Sequence, residues 1–382
     1  MPLVAHSSLP SFAALRAAGE VVLDPGEAAR QDIRELHVGL LNMMPDAALR
    51  ATEQQFLRLI GGAGQIVQVH VHPFTVPGIE RGPEAAAYVD AHYETFSDLQ
   101  RDGLDALVVT GANVSNPDLA DEPFWEPLCE VAAWAGEHVT SVLCSCLATH
   151  ALVQHLHGLH RRRMLVKRWG VYEQRVVDPD HPLLHNTNTR FDAPHSRWNT
   201  LTPAGLREVG VRVLAETLDG GFHLGTSPDG FRFVYFQGHP EYDAISLLKE
   251  YDRDLRDYLA GNGQGSPPHP VRYFSQAAVT LVNEHLEQAL AARAAGREPP
   301  PLPQAEIAAH VDNTWVDTAR AVFANWLGLV YRLTHVDRGR TFMDGIDPHD
   351  PLGLGPAPTL PTSPEPRPAT TPRPDHQEHP DA

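Results

Sequence analysis

Cys146 stands where a thiol can become a nucleophile. It closes the run Ser141-Val-Leu-Cys-Ser-Cys146, and a helical pattern, Leu147-Ala-Thr-His-Ala-Leu-Val-Gln-His155, begins at the next residue. The apolar stretch Val139 to Leu143 predicts a buried strand. A cysteine on a sharp strand-to-helix turn holds its sulfur clear of the backbone and beside a helix N-terminus, which favours the thiolate. The small Ala148 lets such a turn close. Far along the chain, Gly238-His-Pro-Glu-Tyr-Asp243 supplies His239 and Glu241, the base and carboxylate such a thiol needs. A Cys–His–Glu set does acyl transfer: the imidazole takes the thiol proton, the sulfur attacks a carbonyl, and the carboxylate orients and charges the ring. In an extended segment His239 and Glu241 point the same way, so both can line one pocket. The sequence leaves open whether they touch. The oxyanion needs backbone N–H donors; the Leu147 amide is the first, and the loop Gly111 to Val114 is expected to supply the second.

The remaining chemistry is sparse. Cys129 shares an apolar helix face with Trp125, Leu128 and Ala132 and reads as packing. Cys144 and Cys146 are too close together for an ordinary disulfide, and an odd, low cysteine count points to a reducing compartment. The pairs and triples His70 with His72, and His155 with His157 and His160, invite a metal reading. No carboxylate or thiolate accompanies them in a recognisable zinc pattern, and chance neighbours are expected among 22 histidines. No metal site is therefore expected. The net charge of -18 argues against non-specific binding to nucleic acid or anionic membrane. The run Arg161-Arg-Arg163 with Lys167-Arg168 is the best candidate for a local patch that meets an anionic substrate; a solvated surface cluster explains it equally well. No secretory signal or transmembrane run is visible, so a cytoplasmic location is expected.

The elements that must position these groups follow from periodicity. After a lead-in over 1–35 with a short helix near Ser11 to Ala18, buried strands are predicted at Leu36 to Leu41, Gln65 to Val71, Leu104 to Val109, Val139 to Leu143 and Arg232 to Phe236. Helices are predicted at Leu49 to Ile60, Phe124 to Gly136 and after Cys146, with later ones at Phe274 to Gly296 and Val316 to Leu333. Alternating strands and helices imply an α/β fold, a mostly parallel, doubly wound sheet with helices on both faces. The main domain is expected over 36–345, with 274–296 as a helical insert. Such sheets place their sites at the C-terminal ends of strands, where Thr110-Gly-Ala112, Cys146 and His239 with Glu241 all fall. From about Asp350 the chain is rich in Pro and acidic residues and poor in apolar ones, so a disordered tail is expected over 350–382.

Several segments together carry a specific resemblance. They are Leu41-Asn-Met-Met-Pro45 with Gln55-Phe-Leu-Arg-Leu59, Val109-Thr-Gly-Ala112, His138-Val-Thr-Ser141 running into Cys146, and Lys167 with Gly170-Val-Tyr-Glu173. Ala193-Pro-His-Ser-Arg197, Gly238-His-Pro-Glu-Tyr-Asp243 and the Phe323-Ala-Asn-Trp326 helix complete the set. This pattern, over roughly Leu36 to Arg253, resembles the homoserine O-acyltransferase (homoserine O-succinyltransferase) family of methionine biosynthesis, whose fold is like class I glutamine amidotransferases. The resemblance implies Cys146 as acyl-thioester nucleophile, His239 as proton acceptor and Glu241 as the second catalytic residue. It implies Lys167, Ser196 and Arg253 as substrate-binding groups, Arg253 holding the homoserine carboxylate. It also implies a homodimer, acyl-CoA and L-homoserine as substrates, and no cofactor beyond that co-substrate.

Two departures from the family pattern stand out. The loop Thr110 to Asn116 lacks the family's common proline after Ala112, and the helix after Pro45 looks about two residues longer than the usual pattern. Position 115 influences acyl choice in the family, glycine going with succinyl and glutamate with acetyl. Ser115 is neither, but it is small and uncharged, whereas a glutamate would repel the succinyl carboxylate. The expectation is therefore succinyl transfer to L-homoserine. The rivals are acetyl transfer, L-serine as acceptor, a glutaminase and an amidotransferase-like binding protein.

Overall fold

We describe a computed structural model of the chain, covering residues 2–31, 33–64, 67–262, 265–335, 337–338 and 345–356. Eleven strands form one sheet among these residues. They are β1 (Leu3–Val4), β2 (Val22–Leu23), β3 (Glu35–Leu41), β4 (Gln68–Phe74), β5 (Ala106–Val109), β6 (Ser141–Ser145), β7 (Arg162–Val176), β8 (Arg190–Thr200), β9 (Arg212–Thr217), β10 (Phe222–Thr226) and β11 (Phe233–Phe236). The spatial order is β2-β1-β4-β3-β5-β6-β11-β10-β9-β7-β8. Every pairing from β2 across to β11 is parallel, and every pairing beyond β11 is antiparallel. The fold class is thus α/β with a mostly parallel sheet, as expected. The antiparallel extension has no counterpart among the strands predicted from the sequence. The segment 1–35 is more than a lead-in, since it adds β1 and β2 to the sheet edge.

Period-two alternation explains why the sheet is buried on both sides. Leu36, Val38 and Leu40 of β3 join one core with Phe56, Leu57 and Ile60 of helix Asp46–Gly61 and with Phe323, Trp326 and Val330 of helix Val316–Leu333. Leu41, Phe74, Leu107 and Val109 face the other way, onto Leu128 and Val131 of helix Trp125–His138 and Leu152 of helix Leu147–His157. A third cluster joins helix Ser246–Ala260 to helix Gln276–Ala294, the expected insert, through Leu247, Tyr251, Ala278 and Val282. Leu248 and Tyr251 of the former helix pack in that same cluster, which fixes how Glu250 and Arg253 are presented.

Two contacts tie the C-terminal part of the chain to the site's foundations. The Trp326 indole donates to Ser141 Oγ at 2.9 Å, and that hydroxyl donates to the Phe231 carbonyl at 2.6 Å, so the strands that end at Cys146 and before His239 share one anchor at their bases. The expected disorder does not extend over 350–356: Asp350 accepts from the Leu354 and Gly355 amides, and Arg212 donates to the Gly355 carbonyl. The rest of the predicted tail lies outside the described residues. Among the described residues no helix is long and apolar enough to cross a membrane.

Candidate active site

β6 and β11 are parallel neighbours with Ser145 opposite Phe236, so the residues just beyond each strand meet. Cys146 donates its amide to the Phe236 carbonyl at 2.8 Å. Thr149 Oγ1 lies 3.0 Å from the Cys144 carbonyl and 2.7 Å from that of Phe236, lashing the first helical turn to both strands. Cys146 itself sits at φ 51°, ψ -103°, in the left-handed half of conformational space that a side chain normally avoids. This is the sharp turn that the sequence predicts, and it leaves Cys146 half-buried at the start of helix Leu147–His157.

His239 reaches the same place from β11. Its amide donates to the Pro194 carbonyl at 2.9 Å. A Cβ at Gly238 would come within 2.9 Å of the His223 ring and of the Pro194 oxygen, so the passage between them takes a glycine. The question the sequence left open is answered directly: His239 Nδ1 donates to Glu241 Oε1 at 2.8 Å, and Ser145 Oγ donates to the same carboxylate at 3.3 Å. Nε2 of His239 is buried and makes no hydrogen bond, which leaves it for the sulfur. Burial opposes a charge on this ring, but the negative charges of Cys146 and Glu241 outweigh it and raise the imidazole well above its ordinary value. The imidazole is therefore poised to hold a proton beside the sulfur.

The loop after β5 lies against the turn. Thr110 Oγ1 accepts from the Met43 amide at 2.9 Å, and a Cβ built on Gly111 would stand 4.0 Å from the Leu147 amide nitrogen. Farther along, the buried Glu122 carboxylate accepts from the amides of Ser115 at 2.8 Å and Asn116 at 2.6 Å, while Arg161 donates to the Asn116 carbonyl at 2.9 Å. Glu122 and Arg161 thus fix the position of Ser115, whose side chain is exposed.

Lys167, Ser196 and Arg253 arrive from β7, β8 and helix Ser246–Ala260. Ser196 Oγ donates to Glu250 at 2.6 Å, and Lys167 Nζ lies 3.7 Å from Glu250 and 3.6 Å from Asp254, over the Trp169 ring at 4.3 Å. Tyr242 joins this group to the catalytic one: its hydroxyl donates to Glu250 at 2.7 Å, and its ring stacks on His239 with centroids 4.2 Å apart. Arg253 stands farther out, its exposed guanidinium on Asp254 at 2.9 Å and 3.0 Å. The structure therefore brings Lys167 and Ser196 into one network and leaves Arg253 at its rim. The basic run does not form one patch: Arg161 holds the loop, Arg163 covers Trp198 at 4.6 Å and Arg168 pairs with Asp219 at 2.6 Å.

Glu250, Tyr242, Glu122 and Arg197 were not singled out from the sequence. Glu250 had a signal, three residues before Arg253 on a strongly amphipathic helix. Arg197 is buried, and its Nη2 makes no hydrogen bond. Burial lowers it to about 10, with the charge on Cys146 acting the other way, so it remains a cation at neutral pH.

The sequence model of homoserine O-succinyltransferases matches residues 2–336. The chain belongs to the homoserine O-succinyltransferase family. Homoserine O-succinyltransferase of Allochromatium vinosum is 57% identical over 354 residues, spanning 93% of this chain and 99% of that protein. The Methylobacter tundripaludum homoserine O-succinyltransferase is 54% identical over 354 residues, spanning 93% and 100%. Among solved structures, a glutamine amido transferase from Methylobacillus Flagellatus superposes with a TM-score of 0.41 at 13% identity, covering 78% of this chain and 95% of that one. As a member of the homoserine O-succinyltransferase family the chain is an acyltransferase, and the family match takes in every residue of both polar groups described above.

Proposed function

We propose that this enzyme transfers a succinyl group from succinyl-CoA to the hydroxyl of L-homoserine through a thioester on Cys146. His239 Nε2 takes the thiol proton and the sulfur attacks the thioester carbonyl. The Leu147 amide, with the loop after β5, receives the oxyanion. CoA leaves as a thiol, taking the proton back from His239. The same nitrogen then removes the homoserine hydroxyl proton, the alkoxide oxygen attacks the acyl-enzyme, and O-succinyl-L-homoserine departs with Cys146 regenerated. The observation that carries this reading is the contact of His239 with Glu241, with the opposite ring nitrogen left unpaired beside Cys146.

The succinyl donor is supported by two features. Ser115 adds no charge at the loop, and the cationic Arg197, with an unpaired buried nitrogen and a charge coupled to that of Cys146, suits the far carboxylate of a succinyl group. Lys167, Ser196 and Arg253 are the proposed contacts of the amino acid. The three cysteines, all free thiols, suit a reducing cytoplasm, and exposed Leu165, Val166 and Trp198 on the β7–β8 ribbon suit a homodimer. No cofactor is needed beyond the two substrates.

The test is a half-reaction. Incubation with succinyl-CoA alone should release one CoA per chain and leave a succinyl adduct on the Cys146 peptide, which L-homoserine then discharges. The Cys146→Ala variant should do neither. Release of CoA only when L-homoserine is present, with no adduct at Cys146, would overturn the mechanism; faster release from acetyl-CoA would overturn the donor.

A further inference from the structure

At the other side of the parallel sheet, four imidazoles and two carboxylates crowd together. β3 and β4 pair with His37 opposite His70 and Gly39 opposite His72. Alternation puts Glu35 and His37 of β3 on one face, beside His70 and His72 of β4. The His37 and His70 rings stack with centroids 4.8 Å apart. His6, just after β1, places its ring 5.0 Å from His70 and 4.7 Å from His72. These residues share the sheet face of Leu41 and Phe74 but lie toward the strands' N-terminal ends, away from Cys146.

The hydrogen bonds dictate where the protons sit. Glu94 lies 2.6 Å from His72 Nδ1, so that nitrogen donates and His72 Nε2 accepts. His37 Nδ1, 2.9 Å from His72 Nε2, must then be the donor. This leaves a lone pair on His37 Nε2, yet that nitrogen faces Glu35 Oε2 at 3.5 Å. His70 Nε2 faces the same oxygen at 3.7 Å and is buried with no hydrogen bond. Two imidazole nitrogens and a carboxylate oxygen thus converge where a proton is missing and a cation would complete the set. Bonds of about 2.1 Å to a tetrahedral ion put two ligands roughly 3.4 Å apart, close to both separations.

We propose that Glu35, His37 and His70 bind a divalent transition-metal ion of the zinc class. His72 and Glu94 form the orienting shell that fixes the His37 tautomer, as outer partners of ligating histidines do. Glu35 is the exposed member, so the fourth position opens to water. Arg338, whose charge reaches His37 and His70, lies 3.8 Å from the buried Asp105 carboxylate. The ion would tie β3 to β4 and act on stability, apart from the acyl-transfer chemistry.

The experiment titrates Zn²⁺ into the chelator-stripped full-length protein against a competing indicator, with Co²⁺ as a spectroscopic probe. One Zn²⁺ per chain should bind and should persist in Cys146→Ala, which separates it from the active-site thiol. His70→Gln should weaken binding on the order of 100-fold or more, and Glu94→Gln by about 10- to 100-fold. Glu35→Gln, at an exposed position that folding tolerates, should also weaken it strongly, and Zn²⁺ should raise the melting temperature of the wild type but not of this variant. Co²⁺ should give the intense visible bands of a four-coordinate site. Equal Zn²⁺ affinity in wild type and Glu35→Gln, loss of the ion in Cys146→Ala, or no stoichiometric binding by the wild type would each overturn the proposal.

Discussion

The strained backbone at Cys146 makes a prediction whose sign is opposite to the ordinary one. At an unstrained position glycine is less stable than alanine by about 0.5–1 kcal/mol, because the unfolded chain gains freedom. At Cys146 the folded backbone holds φ 51° and ψ -103°, where any Cβ crowds the neighbouring peptide. Conformations of this kind cost on the order of 1–3 kcal/mol for a non-glycine residue. Cys146→Ala keeps the Cβ and the strain; Cys146→Gly keeps neither. Both lose the same half-buried sulfur, so its packing cancels in the comparison. Subtracting the glycine penalty leaves the Gly variant about 0–2.5 kcal/mol more stable than the Ala variant, or up to roughly 5 °C in melting temperature at about 2 °C per kcal/mol for a chain this large. Thermal unfolding of the two variants side by side, under matched scan rates, measures the difference. A Gly variant that melts below the Ala variant would refute the argument, because it would mean that the turn is relaxed and that the nucleophile is not held under backbone strain.

Two further outcomes are expected. Arg197→Met should lower kcat/KM with succinyl-CoA about 10- to 100-fold more than with acetyl-CoA, the value of a hydrogen bond of about 1.5–3 kcal/mol to a charged group; steady-state kinetics with both donors decide it, and equal losses would remove Arg197 from donor recognition. The second concerns pH. His150 is buried, lies beside Gln237 and is pushed by burial down to about 3. Its folded value lies below the unfolded one of about 6.5, so its contribution to stability is present above pH 6.5 and is lost as the pH falls toward 3. Between pH 7.5 and 4.5 that is about 2–3 kcal/mol, so the unfolding free energy of His150→Gln should fall by that much less than the wild type's over this range. Parallel stability curves from urea titrations would show that folding does not shift the His150 titration, and would refute the argument.

What was legible in the sequence is what depends on local pattern. Helix Val316–Leu333 was placed to the residue because its apolar stripe is uninterrupted, and the strand leading to Cys146 was found because apolar runs of that length have few other uses. β7 and β8 were missed for a physical reason: a long, half-exposed antiparallel ribbon carrying Arg162, Arg163, Lys167 and Arg168 has neither a continuous apolar run nor clean alternation, and it is irregular between Arg163 and Arg168. That omission hid the environment of Lys167 and Ser196, although resemblance had pointed to both. The contact of His239 with Glu241 was half-visible, since spacing put them on one side but could not say that Pro240 lets the ring turn onto the carboxylate.

The histidine cluster shows the limit most clearly. From the sequence, His70 and His72 had no carboxylate near them in a metal-binding spacing, so no site was expected. The folded chain supplies Glu35 through the β3–β4 register and Glu94 through the segment that follows helix Pro83–His92, partners 35 and 22 positions away from His70 and His72. Spacing rules describe sites built within one turn or loop; a parallel sheet builds them across strands, where register decides which side chains meet. The same logic applies to the catalytic pair. Cys146 and His239 are joined by the β6–β11 register, and a one-residue slip in that pairing would move the segment after Phe236 and send its side chains to the opposite face. The Trp326–Ser141–Phe231 chain of hydrogen bonds clamps that register at the base of both strands, which gives the C-terminal helix a direct mechanical part in aligning the acyl-transfer site.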